Sequence, residues 1–160
     1  MKLATNLTSI TQAKNEIRQD IIKKRGELGG LEKNEKSLAI SKRLFGMDEF
    51  KKSKTVFCFL STLFEVQTEK IIRESLRLGK HVLVPLLDPE EGNLQASRIP
   101  SMDIDFMIGK YGIKQPTLKS RDIVACSNID FVVVPGLAFG NIGNRIGYGA
   151  GFYDKFFKKI

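Results

Sequence analysis

Hydrophobic residues recur along this chain in two patterns, one typical of amphipathic helices and the other of buried strands. Apolar positions at helical spacing predict helices over residues 11–28, 32–45, 68–78 and 152–159. Short unbroken apolar runs, which are typical of strands covered on both faces, predict strands over residues 55–60, 81–87, 94–99 and 131–134. Strands that alternate with helices predict an α/β fold with parallel pairing and right-handed crossovers.

Length and composition indicate one globular domain. The 160 residues suffice for a single core, and the 42% hydrophobic and 28% charged fractions are ordinary for soluble proteins. We therefore expect residues 1–160 to form one domain, with residues 1–10 as a loose polar leader. No apolar run approaches the ~20 residues of a membrane span, and residues 1–12 lack the apolar core of a signal peptide. Together these features predict a cytoplasmic protein with no membrane partner.

The cysteine and histidine content argues against a metal cluster. Cys58 and Cys126 are not part of a C-x-x-C pair, and His81 is the only histidine. A histidine-based catalytic triad is disfavoured for the same reason. Unpaired cysteines also suit the reducing environment of the cytoplasm.

The net charge of +8 favours anionic partners. The basic residues are spread over the whole chain, so most of them are expected to solvate helix faces. A nucleic-acid-binding domain would interleave aromatic and basic residues, and this pattern is missing. We therefore expect a small-molecule partner and no nucleic acid.

A glycine-rich segment follows the strand predicted at residues 131–134. Pro135 and Gly136 end that strand, and the glycine loop, defined here as residues 143–151, then leads around Arg145 into a short helix. Alternating glycines let backbone N–H groups approach phosphate oxygens closely. A flexible connection or a tight turn is an equally valid interpretation of the spacing. The dinucleotide motif G-x-G-x-x-G and the P-loop both fit poorly, so the residues alone indicate only an anion or a nucleotide.

Three ordered blocks carry a resemblance to a known family. They read KNEIR at residues 14–18, FLSTLFEVQT at 59–68, and PGLAF followed by GNRIGYGAGFYD at 135–139 and 143–154. Together they resemble the 5-formyltetrahydrofolate cyclo-ligase family, also called methenyltetrahydrofolate synthetase. The resemblance runs from about Ala13 to the end of the chain.

The resemblance implies a fold and a reaction. The fold would be a three-layer, Rossmann-like α/β domain with a mostly parallel central sheet. The enzyme would be a ligase of one-carbon metabolism that converts 5-formyltetrahydrofolate to 5,10-methenyltetrahydrofolate and releases ADP and phosphate. ATP would be the co-substrate, Mg²⁺ the metal, and the reduced folate could carry a polyglutamate tail. We expect a monomer.

The resemblance also implies which residues form the site. Glu65 and Arg145 would be catalytic. The Glu65 carboxylate would orient the formamide, which is the role we favour from the sequence, or hold the N10 proton, and Asp154 would be the metal ligand. The residues expected to bind ATP are Lys14, Arg18, Arg145, Ile146, Gly147, Tyr148, Gly149, Ala150, Gly151, Phe152 and Tyr153. Those expected to bind the folate are Leu60, Glu65, Tyr148, Gly149, Ala150, Gly151 and Phe152.

The chain departs from the family pattern at several points. Ala150 replaces a glycine or lysine, Leu86 replaces a basic residue, and Gln115 stands where a glutamate is frequent. Family members also continue beyond Ile160 with a further strand and an aspartate, so we expect a C-terminal truncation. These departures leave one alternative open, a non-catalytic paralogue of the same fold that binds nucleotide or folate.

Overall fold

The structure, a computed structural model, describes residues 2–88 and 92–160, with side chains from residue 9 onward. The helices are α1 (Lys2–Glu27), α2 (Gly30–Gly46), α3 (Asp48–Lys52), α4 (Glu69–Arg77) and α5 (Phe152–Phe156). The strands are β1 (Thr55–Cys58), β2 (His81–Asp88), β3 (Asn93–Ile99), β4 (Phe106–Ile108), β5 (Lys114–Pro116), β6 (Ile123–Val124), β7 (Phe131–Val133), β8 (Ala138–Phe139) and β9 (Arg145–Ile146). Short 3₁₀ turns occupy Lys110–Gly112, Leu118–Ser120 and Cys126–Asn128.

The predicted elements are confirmed, with shifted ends. The main correction concerns residues 1–10, because helix α1 begins at Lys2 and the expected loose leader is wrong for residues 2–10. No glycine or proline interrupts the chain between Lys2 and Arg25, so the helix predicted from residue 11 extends backward without a break. Helix α5 is shorter than predicted and ends at Phe156. That the whole chain forms one domain remains a prediction.

The central sheet has the strand order β6-β3-β2-β1-β7. Strand β1 pairs in parallel with both β2 and β7, whereas β3 lies antiparallel to β2 and to β6. Strand β3 therefore runs against the other strands, because the connection from β2 is too short for a crossover. The mostly parallel sheet that the sequence predicts is confirmed.

Each face of the sheet supports its own apolar cluster. On one face, Val56, Val82 and Val84 pack with Leu44 of α2, Phe50 of α3 and Ile71 and Ile72 of α4. On the other face, Phe57 and Leu83 pack with Phe156 of α5. Alternate residues of β1 thus point to opposite helical layers, which confirms the three-layer arrangement.

The topology brings two connections to the same edge of the sheet. Cys58 at the end of β1 is paired in register with Val133 at the end of β7. The turn at residues 61–67 and the segment from Pro135 onward leave from these ends. The carboxyl ends of parallel strands are where α/β folds bind ligands. Among the residues described, no helix is long and apolar enough to cross a membrane.

Replacement of Ile72 by alanine should destabilise the fold through a core cavity. Ile72 is a fully buried residue of α4. Truncation of a buried isoleucine to alanine costs about 2–5 kcal/mol, because the surrounding side chains relax only partly into the cavity. Urea denaturation measures the loss. Ile40→Ala is the matched control, because Ile40 is 43% exposed on α2 and should lose less than about 1 kcal/mol. Equal losses in the two variants would contradict the packing described here.

Asp130 should make the free energy of unfolding depend on pH. Its carboxylate accepts hydrogen bonds from the backbone amides of Thr55 at 2.8 Å and Lys54 at 2.7 Å. These bonds hold the pKa of Asp130 below its ordinary value. The carboxylate therefore stabilises the fold fully above the unfolded-state pKa of about 3.9. This stabilisation is lost as the pH falls through the lower folded-state pKa. Asp130→Ala should therefore be less stable than the wild type at pH 7.

Thermal unfolding from pH 7 to pH 2 checks this expectation, and the difference between the two proteins should narrow below about pH 4. Asp20→Ala is the control, since Asp20 forms an exposed pair with Lys24 at 2.7 Å and should change stability little at any pH. A difference for Asp130→Ala that stays constant with pH would contradict the assigned role.

Candidate functional site

The candidate site lies where the glycine loop approaches the turn after β1. The segment before the loop folds back as a small hairpin of β8 and β9. The amide of Leu137 donates to the carbonyl of Ile146 at 2.8 Å, and that of Gly140 to the carbonyl of Asn144 at 2.8 Å. The sequence did not predict this hairpin, because strands of two residues leave no readable alternation.

Arg145 holds the loop in place. Its Nη1 donates to the carbonyl of Pro135 at 2.9 Å, and its Nη2 donates to Oδ1 of Asp154 at 2.7 Å. A Cβ at Gly147 would lie 2.9 Å from Nη1 of Arg145, so a larger residue at this position would displace the guanidinium. Arg145 therefore connects the end of β7, the loop and α5, and its side chain is only 15% exposed.

Helix α1 also contacts the loop, through Arg18. Arg18 Nε donates to the carbonyl of Gly147 at 2.9 Å, and Arg18 Nη1 donates to Oδ1 of Asn15 at 2.5 Å. Gly149 adopts a φ of +109° beside the Arg18 guanidinium, a conformation that side chains rarely allow. Lys14 is exposed one helical turn earlier. The structure thus brings Arg18 to the loop, and phosphate binding by either residue stays a prediction.

Arg25 is a site residue that the sequence did not reveal. Its Nη2 donates to the carbonyls of Gly136 at 2.6 Å and Leu137 at 3.4 Å. Arg18 and Arg25 are seven residues apart, two helical turns, so they extend from one face of α1. That spacing was the available signal, but it also occurs on ordinary solvated helix faces.

Glu65 is held rigidly in the turn after β1. Only 8% of the residue is exposed, and its Oε2 accepts hydrogen bonds from the Thr62 amide at 2.9 Å and the Thr62 hydroxyl at 3.0 Å. The Gln67 side chain donates to the carbonyls of Thr62 and Glu65 and closes the turn. Leu60, expected to contact the folate, is 5% exposed and belongs to the core.

The Glu65 carboxylate affects the pKa of two tyrosines, Tyr148 of the glycine loop and Tyr153 of α5. Tyr148 is half-buried, and this partial burial, then the nearby Glu65 carboxylate, raises its pKa to about 12, whereas Arg25 acts in the opposite direction. Burial, with Cys58 and Glu65, also raises the pKa of Tyr153, and Arg145 opposes that shift. Both hydroxyls therefore stay protonated at neutral pH and are able to donate.

The remaining predicted residues of the loop differ in exposure. Tyr148, Gly149 and Ala150 are exposed, whereas Ile146, Gly147, Gly151, Phe152 and Tyr153 are partly buried. Gly151 adopts a φ of +70° where the chain enters α5. Leu86 is buried, and the buried Gln115 accepts a hydrogen bond from the Leu87 amide at 3.2 Å. Leu86 and Gln115, two of the departures from the family pattern, are therefore buried residues that contribute to the fold of this chain.

Asp154 is the only predicted metal ligand, and its side chain is 73% exposed. Among the described residues, no group of three or more His, Cys, Asp or Glu side chains is placed to hold a metal ion. Mg²⁺ often takes only one or two protein carboxylates and completes its shell with substrate phosphates and water. The donor set therefore fits a magnesium ion that binds together with a nucleotide, and it does not fit a permanent metal site.

Comparisons with known proteins identify a family for nearly the whole chain. The model of the 5-formyltetrahydrofolate cyclo-ligase family matches residues 10–160. A probable 5-formyltetrahydrofolate cyclo-ligase of Caenorhabditis elegans is 28% identical over 155 residues, which cover 94% of this chain and 75% of the relative. The mouse (Mus musculus) 5-formyltetrahydrofolate cyclo-ligase is 26% identical over 155 residues, 94% of this chain and 76% of the relative. The solved structure of Aquifex aeolicus 5,10-methenyltetrahydrofolate synthetase superposes with a TM-score of 0.77 at 31% identity, covering 92% of this chain and 73% of the other.

Removal of the Arg25 side chain should loosen the β8–β9 hairpin. A charge-assisted hydrogen bond to a carbonyl contributes about 1.5–3 kcal/mol when partly buried. The Arg25→Ala variant should therefore unfold at a lower urea concentration than the wild type. The amide hydrogens of Leu137 and Gly140 should also exchange faster with solvent. Hydrogen exchange followed by mass spectrometry measures the second effect.

Lys24→Ala is the matched control, because Lys24 is a neighbouring cation of α1 whose side chain is 66% exposed and pairs only locally with Asp20. Its exchange in the hairpin should equal that of the wild type. Unchanged hairpin exchange in Arg25→Ala would show that the helix does not hold the hairpin.

Proposed function

The chain belongs to the 5-formyltetrahydrofolate cyclo-ligase family, and we propose that it catalyses the ATP-dependent cyclisation of 5-formyltetrahydrofolate to 5,10-methenyltetrahydrofolate, with release of ADP and phosphate. The observation that carries this conclusion is the family match over residues 10–160, which includes every predicted site residue. Nothing in the comparisons favours a non-catalytic binding paralogue.

The glycine loop is suited to the nucleotide side of this reaction. Backbone amides at positions without a Cβ can approach phosphate oxygens, and the exposed residues Tyr148 to Ala150 lie at the open side of the loop. Arg18 and Arg145 place two guanidinium groups against the same loop, at Gly147. The exposed Lys14 adds a third cation on the same face of α1, one turn before Arg18. Fixed positive charge of this kind stabilises a transferring phosphoryl group without reorganisation during the reaction.

Asp154 is the residue that would hold Mg²⁺. The metal, when bound with ATP, neutralises charge on the phosphates. The Asp154 carboxylate pairs with Nη2 of Arg145 at 2.7 Å. This pair places the carboxylate directly beside the glycine loop.

Glu65 is suited to the folate side. An ionised carboxylate only accepts hydrogen bonds, and the formyl oxygen of the substrate is also an acceptor. We therefore propose that Glu65 holds the N10 proton, in place of the formamide-orienting role that was favoured from the sequence. The fixed geometry imposed by Thr62 lets the carboxylate meet N10 without rearrangement.

The reaction then needs two bond exchanges. The formyl oxygen attacks the γ-phosphorus and ADP leaves. N10 attacks the activated formyl carbon, its proton passes to Glu65, and the carbon–oxygen bond breaks to release phosphate and the methenyl product. A polyglutamate tail on the substrate would meet the net positive charge of the protein, +8. The monomeric state and the cytoplasmic location remain predictions.

Mixing the protein with ATP, Mg²⁺ and 5-formyltetrahydrofolate should produce methenyltetrahydrofolate, which is followed by its near-ultraviolet absorbance. Glu65→Gln keeps the shape of the side chain but removes the proton acceptor, so kcat should fall by about 100-fold or more. Glu69→Gln is the matched control, because Glu69 is an exposed partner of Arg73 and its loss should leave kcat unchanged.

Product formation that requires ATP would support the proposal. A folded wild-type protein that binds ATP and the folate without turnover would overturn it in favour of the binding paralogue. Equal kcat values for Glu65→Gln and the wild type would remove Glu65 from the mechanism.

A further inference from the structure

Two side chains of helix α2, Lys33 and Ser37, hold the turn that carries Glu65. The backbone amide of Gln67 donates to Oγ of Ser37 at 3.0 Å, and Nζ of Lys33 donates to the carbonyl of Leu63 at 2.6 Å. Leu63 and Gln67 lie two residues before and two residues after Glu65. Helix α2 therefore fixes the backbone on both sides of the residue that carries the carboxylate.

Ser37 makes this connection because its hydroxyl both donates and accepts. It is 5% exposed and donates to the carbonyl of Lys33, one helical turn earlier, at 2.8 Å, so its oxygen can still accept from Gln67. The Gln67 amide precedes helix α4, which begins at Glu69, and needs an acceptor outside regular secondary structure. Ser41, one turn later, donates to the carbonyl of Ser37 at 2.9 Å. Among the hydrogen bonds of the described residues, the Ser41 hydroxyl serves α2 alone.

The position of Gln67 is transmitted to the Glu65 carboxylate through the turn. Nε2 of Gln67 donates to the carbonyls of Thr62 at 3.0 Å and Glu65 at 2.9 Å. Thr62 then donates twice to Oε2 of Glu65. Each step of this path is a direct hydrogen bond, so a shift of the Gln67 backbone would move the carboxylate. Such shifts matter because a displacement of about 1 Å between reacting groups can reduce a rate about 100-fold.

We propose that Ser37 and Lys33 are positioning residues for the cyclisation, which set through this turn where the Glu65 carboxylate meets N10 of the folate. This inference rests on the proposed function. The two residues act through Glu65 and not by contact with a substrate. Helix α2, which contains none of the site residues that the family resemblance implies, thereby takes part in catalysis. Loss of either side chain should reduce kcat and leave the binding of ATP unchanged.

Steady-state kinetics of methenyltetrahydrofolate formation with Ser37→Ala provides the first test. Its kcat should fall about tenfold or more, whereas KM for ATP should equal that of the wild type. Ser41→Ala is the matched control, because it makes the same atomic change at a serine of the same helix that is 1% exposed, and it should keep the wild-type kcat.

A double-variant comparison separates positioning from general damage to the fold. In the Glu65→Gln background, Ser37→Ala should cause no further loss of kcat, because the group that Ser37 positions no longer accepts the proton. A structural role would lower kcat by the same factor in the wild-type and Glu65→Gln backgrounds.

Lys33→Met provides a second test that leaves the buried core intact. Lys33 is only partly buried, so this variant should fold even if Ser37→Ala does not. Its kcat should fall about threefold or more, as expected for the loss of one charge-assisted hydrogen bond, and again only when Glu65 is present. Lys36→Met is the control, because Lys36 is 60% exposed on the same helix and pairs with Glu32 at 3.5 Å.

A wild-type kcat in either folded variant would remove that residue from the proposal, and a wild-type kcat in both would overturn it while the proposed function stands. Equal losses of kcat in the wild-type and Glu65→Gln backgrounds would also overturn it. A wild-type protein that forms no product would overturn the proposed function, and with it this inference.

Discussion

The geometry at the carboxyl-end edge of the central sheet depends on one group, the Arg145 guanidinium. It reaches the carbonyl of Pro135 and the carboxylate of Asp154 at the same time, so one rigid planar group sets the separation between the end of β7 and the start of α5. Because guanidinium donors are fixed in a plane, a lysine could not meet both partners in the same way. Because Nη1 lies close to the position of a Cβ at Gly147, a side chain there would displace the guanidinium from these two partners.

Arg18 and Arg25 extend the same principle to a helix that is distant in sequence. Each of them donates to a carbonyl of the hairpin and loop region, Gly147 and Gly136 respectively. Carbonyl groups outside regular ladders need donors when they are partly buried, and the arginines of α1 supply them. These hydrogen bonds fix the loop relative to α1, and fixed charges are the ones most useful to phosphoryl transfer.

Much of this arrangement could be predicted from the sequence, because its signals are local. Unbroken apolar runs indicate the buried strands, and the dense glycines indicate the loop. Three ordered blocks identify the family. The features that could not be predicted from the sequence are decided by contacts between segments that are distant in the chain. The reversed direction of β3 depends on a short connection, and the role of Arg25 depends on where α1 lies. Likewise, the burial of Glu65 follows from bonds that Thr62 and Gln67 make within the turn.

The unpaired hydroxyl of Tyr153 illustrates how a site can oppose the stability of its own fold. The aromatic ring of Tyr153 contributes to the cluster around Phe57 and Phe156, and a phenylalanine would pack there equally well without an unsatisfied donor. Natural proteins tolerate such local costs at functional sites and compensate for them elsewhere. Here the compensation is the stacked pair of Phe57 and Phe156, whose ring centroids are 4.4 Å apart, together with the apolar layer that α5 covers. The hydroxyl is therefore a polar group that the packing of this apolar cluster does not require.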